Sequence, residues 1–208
     1  MTSPYRVVLG AAFDELHPRL RTYFDGIPVG SVGEGHGVFD TVGTRRRWLW
    51  PALALLGRAN VVFPVWERDV PFTVENVPAA DPEGRPTVRA QRVFRLRSGR
   101  RTMVDEIGVD RGVIVDTLGR PARVSGRFDA AVVDGGLTLT STSVSFLLGR
   151  MRIRLPRAVA PRVVLSERFD DERDVQRVSI TLDQPLIGRV YEYAGSFRYA
   201  IRTGERDE

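Results

Sequence analysis

Ala122–Leu148, ARVSGRFDAAVVDGGLTLTSTSVSFLL, is the stretch that decides the fold. Ala122, Val124, Gly126, Phe128, Ala130 and Val132 occupy every second position. That is the period of a strand with one face in a core and the other in water. The alternation stops at Asp134-Gly135-Gly136, residues that accept the positive φ angles of a tight hairpin. LTLTSTSVSFLLG then runs on as a second strand-like segment. Strand, tight turn and strand in immediate succession predict antiparallel pairing.

The same texture extends both ways. Toward the C-terminus, Val163 to Phe169 alternates, DDERD turns, Val178, Ile180 and Leu182 alternate, and after QPLIG comes VYEYAGSFRYAI. Toward the N-terminus lie GVIVDTLG, TMVDEIGVDR, the row Val88, Ala90, Phe94, Leu96 with its turn SGR, and the row Val70, Phe72, Val74. MRIRLPRAVAPR reads as a loop or a short turn of helix. The count is eight to ten antiparallel strands joined by short turns. A closed up-and-down barrel removes its own strand edges, and one of about eight strands has room for a small ligand. A START-type helix-grip fold would need a long C-terminal amphipathic helix and ranks second. The predicted class is mainly β, a lipocalin-like (calycin-type) antiparallel barrel over 61–203.

Residues 1–60 read as a helical part and lid of the same single domain, 1–208. Ser3-Pro4 is a helix start, and apolar residues at threes and fours carry one helix to Asp25-Gly26, with Pro18 as a kink or break. The glycine-rich VGEGHGVFDTVG follows, then a second short helix from Trp48 to about Gly57, in TRRRWLWPALALLGRANVVFP. Its apolar run, Trp48–Leu56, is far below the ~20 residues that span a bilayer. Trp48, Trp50 and Leu53 are expected to cap a barrel mouth, with Arg45, Arg46 and Arg47 exposed.

Composition excludes much chemistry. The chain has 208 residues, a net charge of +5 and no cysteine. All 31 basic residues are arginine, so neither a thiolate nor a Schiff-base lysine exists. The arginines are interleaved with 26 acids, whereas a phosphate-binding surface wants clustered charge, so no nucleic-acid partner is expected. No G-x-S-x-G elbow or Gly-Lys-Ser/Thr loop is present. A signal-peptide pattern is missing from the first residues, which sets the cytoplasm as the expected location. No cofactor, no metal and no stable membrane insertion are expected. The oligomer is left at monomer or homodimer.

Candidate site residues come from inward rows. Tyr191, Tyr193, Phe197 and Tyr199 share one face of the last strand. Arg92 lies in phase with Ala90 and Phe94, and Glu167 with Leu165 and Phe169. A buried charge needs a partner. Arg92 and Glu167 could serve each other, or Asp105 or Glu106 could be the partner, since one of two adjacent residues faces in. Arg92, Glu167, Tyr191 and Tyr193 form the catalytic set. Trp48, Trp50, Trp66, Phe72, Phe94, Met103, Phe128, Phe197 and Tyr199 are the apolar ligand-binding candidates. Glu34 and His36, two apart in the glycine-rich segment, are the polar ones.

The segments YRVVLGAAFDELHPRLR, RDVPFTV, RVFRLRSGRRTMVDEIG, LPRAVAPRVVLSERFDD and PLIGRVYEYAGSF resemble the bacterial domain-of-unknown-function family 4166 (DUF4166) over most of the chain. By that resemblance Arg92, Phe94, Glu106, Tyr193 and Gly195 fall on recurrent positions, while Val29–Thr44 departs from the pattern in its glycine content. The resemblance gives no activity. Fusion of relatives to dehydrogenase-like domains implies small-molecule metabolism.

Two functions are compatible with these residues. One is a cofactor-independent, pericyclase-like cyclase or isomerase that folds an apolar polyketide- or terpenoid-like molecule inside the barrel. Such chemistry needs a dry cavity and a few hydrogen-bond donors rather than a nucleophile. The other is a non-catalytic binding or carrier protein for a hydrophobic small molecule or lipid.

Overall fold

The computed structural model describes residues 3–203. The N-terminal helix predicted as one piece is three. Helix α1 (Pro4–Leu9) is capped by Ser3, whose Oγ accepts from the Arg6 amide at 3.1 Å. A 3-10 turn (Gly10–Glu15) and helix α2 (Pro18–Phe24) follow. Of the two outcomes expected at Pro18, the break is the one found: Pro18 opens α2, because its missing N–H costs nothing in a first turn.

Twelve strands follow: β1 (Ser31–Gly43), β2 (Trp66–Glu67), β3 (Val70–Ala80), β4 (Pro86–Leu96), β5 (Gly99–Asp110), β6 (Val113–Leu118), β7 (Val124–Val133), β8 (Gly136–Leu148), β9 (Met151–Arg154), β10 (Arg162–Asp170), β11 (Val175–Gln184) and β12 (Gly188–Thr203). Helix α3 (Trp50–Gly57) lies between β1 and β2, entered through a 3-10 turn, Arg47–Leu49. Ten strands close an antiparallel up-and-down barrel. β1 pairs with β3, each later barrel strand pairs with the next, β8 pairs with β10, and β12 returns to β1. β2 and β9 lie outside the ring, on β1 and β8.

Two segments differ from the sequence expectation. Met151–Arg154, read as loop, is strand β9. The glycine-rich segment, read as lid, is barrel strand β1, so the barrel begins near residue 31 and not 61. The reason is steric. Gly35 stands opposite Tyr199 and Gly37 opposite Phe197. A Cβ on Gly35 would lie 2.6 Å from Val74 Cγ1, and one on Gly37 would overlap the Ser196 carbonyl oxygen. β1 gives up its inward side chains so that large rings of β12 can lie over it.

Each end of the barrel carries a helical closure. α1, the first 3-10 turn and α2 seal the end that holds the β7–β8 and β10–β11 turns, where the His17 amide donates to the Gly135 carbonyl at 2.8 Å. Tyr5, Phe13, Leu16, Leu20 and Phe24 are buried there with Ile114, Phe128, Leu137 and Leu139. At the other end α3 and the chain after it lie on the β6–β7 turn, with Arg120 donating to the Ala59 carbonyl at 2.7 Å. Between the ends, Phe39, Phe63, Phe72 and Phe94 form a ring cluster. Phe39 and Phe72 stack with centroids 3.8 Å apart. The cluster packs the interior beside β1, β3, β4 and β12 and leaves space on the opposite side.

Candidate functional site

That space is a cavity of about 450 Å³, within the range of pockets that hold a drug-sized molecule. Its wall is largely aliphatic: Ala90, Ile107, Leu139, Val144, Leu165 and Ile180 contribute, with Leu53 and Leu56 of α3 at one end and Tyr5 and Phe24 at the other.

Into this apolar wall the strands set one polar band. Arg92 on β4 donates to Asp105 on β5, its diagonal neighbour in the ladder. Asp116 on β6 is in turn diagonal to Asp105, since Leu118 is the residue paired with Asp105. Glu167 on β10 accepts from the Gln176 side chain of β11. Tyr193 completes the band and Tyr191 lies one inward position along the same strand. Arg92, Asp105, Asp116, Glu167, Tyr191 and Tyr193 all line the cavity.

Burial governs the protonation of this set. It pushes the Glu167 carboxyl up to about 7, against the Gln176 hydrogen bond and the more distant Arg92 charge, which lower it. Burial and then the Asp105 charge push Asp116 well above the ordinary carboxylate range, with Arg92 opposing. Asp116 Oδ1 has no hydrogen-bond partner among the described residues, and a neutral carboxylic acid is the form such a site tolerates. Burial works against the Arg92 charge, but Asp105 and the neighbouring tyrosines overcome it, so the guanidinium stays charged. Burial also raises Tyr191 and Tyr193, which therefore stay neutral, and the Tyr191 hydroxyl has no partner among the described residues.

Several expected residues lie elsewhere. Arg92 and Glu167 do not pair with each other; Asp105 and Gln176 are their partners, and Glu106 faces outward to Arg89 at 3.0 Å. Glu34 and His36 are on the outer face of β1, because Gly33, Gly35 and Gly37 take the inner one, and Glu34 meets Arg202 at 3.1 Å. Of the ligand-binding candidates, Met103 and Phe128 line the cavity. Phe72, Phe94 and Phe197 are packed core, and Tyr199 packs against that core. Trp66 lies under the Arg45 guanidinium, 4.8 Å from its centroid. Leu49, Leu53 and Leu56 carry the contact of the second helix with the cavity. Trp50 instead packs against the core, and Trp48 is 61% exposed. Arg45, Arg46 and Arg47 are exposed.

Sequence reasoning missed Asp116. Its signal was present in GVIVDTLG: it lies in phase with Ile114 and Leu118, a charge inside an inward row, as Arg92 and Glu167 are. Gln176 carried no comparable signal, because an uncharged polar residue at a strand start is unremarkable.

The fold and the site thus define a ten-stranded antiparallel barrel with an apolar interior crossed by a band of buried acids and one arginine. The family model described as domain of unknown function (DUF4166) matches residues 16–197, and the chain belongs to that family. It is also similar to the uncharacterized protein YndH of Bacillus subtilis (strain 168), 24% identical over 136 residues. That match covers 63% of this chain and 65% of YndH, so the chain spans less than two thirds of that relative. No solved structure matches significantly. Among the described residues no helix is long and apolar enough to cross a membrane.

Proposed function

We propose that the protein is a cofactor-independent cyclase or isomerase that takes an apolar, polyketide- or terpenoid-like molecule into a barrel used in the lipocalin manner, with one ligand inside. The observation that carries the reading is the pair of carboxyls, Glu167 and Asp116, facing an aliphatic cavity of about 450 Å³ with their protonated forms favoured by burial. A structural core of this size has no need of two such acids, and each costs stability unless neutral. A carboxyl titrating near neutral pH is suited to both giving and taking a proton. In the proposed reaction the aliphatic wall folds the chain of the substrate. Tyr193 and Arg92, the latter held by Asp105, donate to its polar end. Asp116 delivers a proton to an alkene or oxygen function while the Glu167 carboxylate takes one from the resulting cation, or Glu167 removes a proton beside a carbonyl and returns it at the new position. No atom is gained or lost, so the product is an isomer of the substrate.

The carrier reading keeps one observation in its favour: most of the wall outside the polar band is aliphatic and unreactive. The two separate on incubation with a panel of linear terpenoid and polyketide-type alcohols, ketones and epoxides, followed by chromatography and mass spectrometry. The enzyme reading expects a product of unchanged mass and new retention, lost in Asp116→Asn or Glu167→Gln while binding of an apolar fluorescent dye persists. Recovery of every bound compound unchanged supports the carrier.

A further inference from the structure

The barrel wall is incomplete on one side. β8 and β10 pair only from Val164↔Thr140 to Glu167↔Leu137. Beyond that the two strands part, and β9 takes the edge of β8 from Ser145 to Leu148. The segment Leu155–Pro161 crosses the gap, tied by the Leu155 amide to the Val144 carbonyl at 2.9 Å. Phe146, Leu155, Val159 and Pro161, which border the gap, also line the cavity. The interior therefore runs out to the surface at the end that carries α3.

The surface around this opening is unlike the rest. Trp48, Leu55, Phe146, Leu148, Met151, Ile153, Val159 and Leu186 are all exposed there, Leu186 at 80% and Met151 at 66%. Phe146 pairs with Ile153 and Leu148 with Met151, so these four share one face of the β8–β9 hairpin. The Gln184 side chain donates to the Ala158 carbonyl at 3.1 Å and Arg46 donates to the Arg189 carbonyl at 2.9 Å. Those contacts join the 155–161 segment, the β11–β12 turn and the Arg47–Leu49 turn into one rim.

Its charge is one-sided. From residue 135 to 166 the sequence has no acid, and from 41 to 66 it has none either. Arg150, Arg152, Arg154, Arg157 and Arg162 are exposed and make no salt bridge among the described residues. Arg45 and Arg47 lie over tryptophan rings, 4.8 and 5.6 Å from the centroids, which leaves their charge uncompensated.

We propose that this rim docks the open end of the barrel on an anionic lipid bilayer, with the apolar side chains in the acyl boundary and the arginines among the headgroups. Exposed apolar groups interleaved with unpaired cations, including an indole, match that interface, where apolar burial and attraction to anionic lipid add. A nucleic acid would satisfy the arginines but leave the apolar face in water. A second copy would bring like charge against like. The docking stands on the rim and does not depend on the acid chemistry within; it would set the cavity opening against a store of apolar molecules.

Co-sedimentation of the full chain tests this, using vesicles of phosphatidylcholine alone and of phosphatidylcholine with phosphatidylserine. The expected result is binding that rises with phosphatidylserine and weakens with salt. Met151→Ser with Ile153→Ser should abolish it with the melting temperature unchanged, since both side chains are exposed. Arg150→Ser with Arg152→Ser should weaken it roughly 25-fold, from about fivefold per surface cation. No binding to either vesicle, equal binding to both, or wild-type binding by the serine variants overturns the proposal. So does a salt-sensitive complex with a DNA duplex, or a dimer that the Met151/Ile153 variant dissociates, if vesicle binding is missing.

Discussion

Arg92 donates directly to Asp105, diagonally across β4 and β5, and the pair lies inside the barrel wall. Removing one partner of a buried pair strands the other. Arg92→Met is therefore expected to lower the unfolding free energy by about 3 kcal/mol. Arg92→Met with Asp105→Leu should recover most of that loss, because an apolar pair of similar volume leaves nothing uncompensated. Urea denaturation of the three chains measures it. A single variant as stable as the parent would mean that Asp105 is neutral already.

The elevated Glu167 makes a pH prediction with a definite sign. Its carboxyl titrates near 7 in the folded chain against an ordinary 4.5, so between those values the folded state holds the proton more tightly than the unfolded state. Stability is fully present below about pH 4.5 and is lost as pH rises to about 7, by on the order of 3 kcal/mol. Glu167→Gln removes this dependence. Relative to the parent it should gain stability across that window and no further above it, as chemical denaturation at several pH values would reveal. A parallel loss in parent and variant would place the titration on another group.

The β1 glycines are predicted to be irreplaceable for different reasons from the turn glycines. Gly37→Ala meets backbone that cannot move without breaking the β1–β12 ladder, and a cost of about 3 kcal/mol is expected. Gly84 has a φ of +78° and open space around it, so Gly84→Ala should cost only about 1 kcal/mol. Equal melting temperatures for the two variants would contradict the packing described for β12 over β1.

These glycines also mark where sequence reading stopped. The meander was legible because alternation and turn chemistry are local, and Asp134-Gly135-Gly136 fixes a hairpin without help from the rest of the chain. β1 was not, because Gly33, Gly35 and Gly37 leave the first half of its inner face without side chains and its identity comes from rings on a strand some 160 residues later. β9 has no inner face, since all four residues are exposed outside the ring. For the site, phase within a strand correctly turned Arg92, Glu167 and Tyr193 inward. Which of them meet is a matter of register between strands, so Asp105 and Gln176 displaced the expected Arg92–Glu167 contact. Trp48 misled for a related reason: a large apolar residue next to a helix predicts burial unless something outside the chain covers it.

In the proposed function, carboxyls in the cavity move protons on a bound apolar molecule. Solvent-deuterium incorporation tests it most directly. A compound from the terpenoid and polyketide panel that the dye-displacement assay shows to bind is incubated with the protein in deuterated buffer and analysed by mass spectrometry and NMR. Deuterium is expected at a specific carbon of the recovered isomer with the parent chain, and is expected to be lost with the double variant Asp116→Asn, Glu167→Gln, which still displaces the dye. Bound compounds that return without deuterium from the parent, or label equally with the double variant, would contradict it.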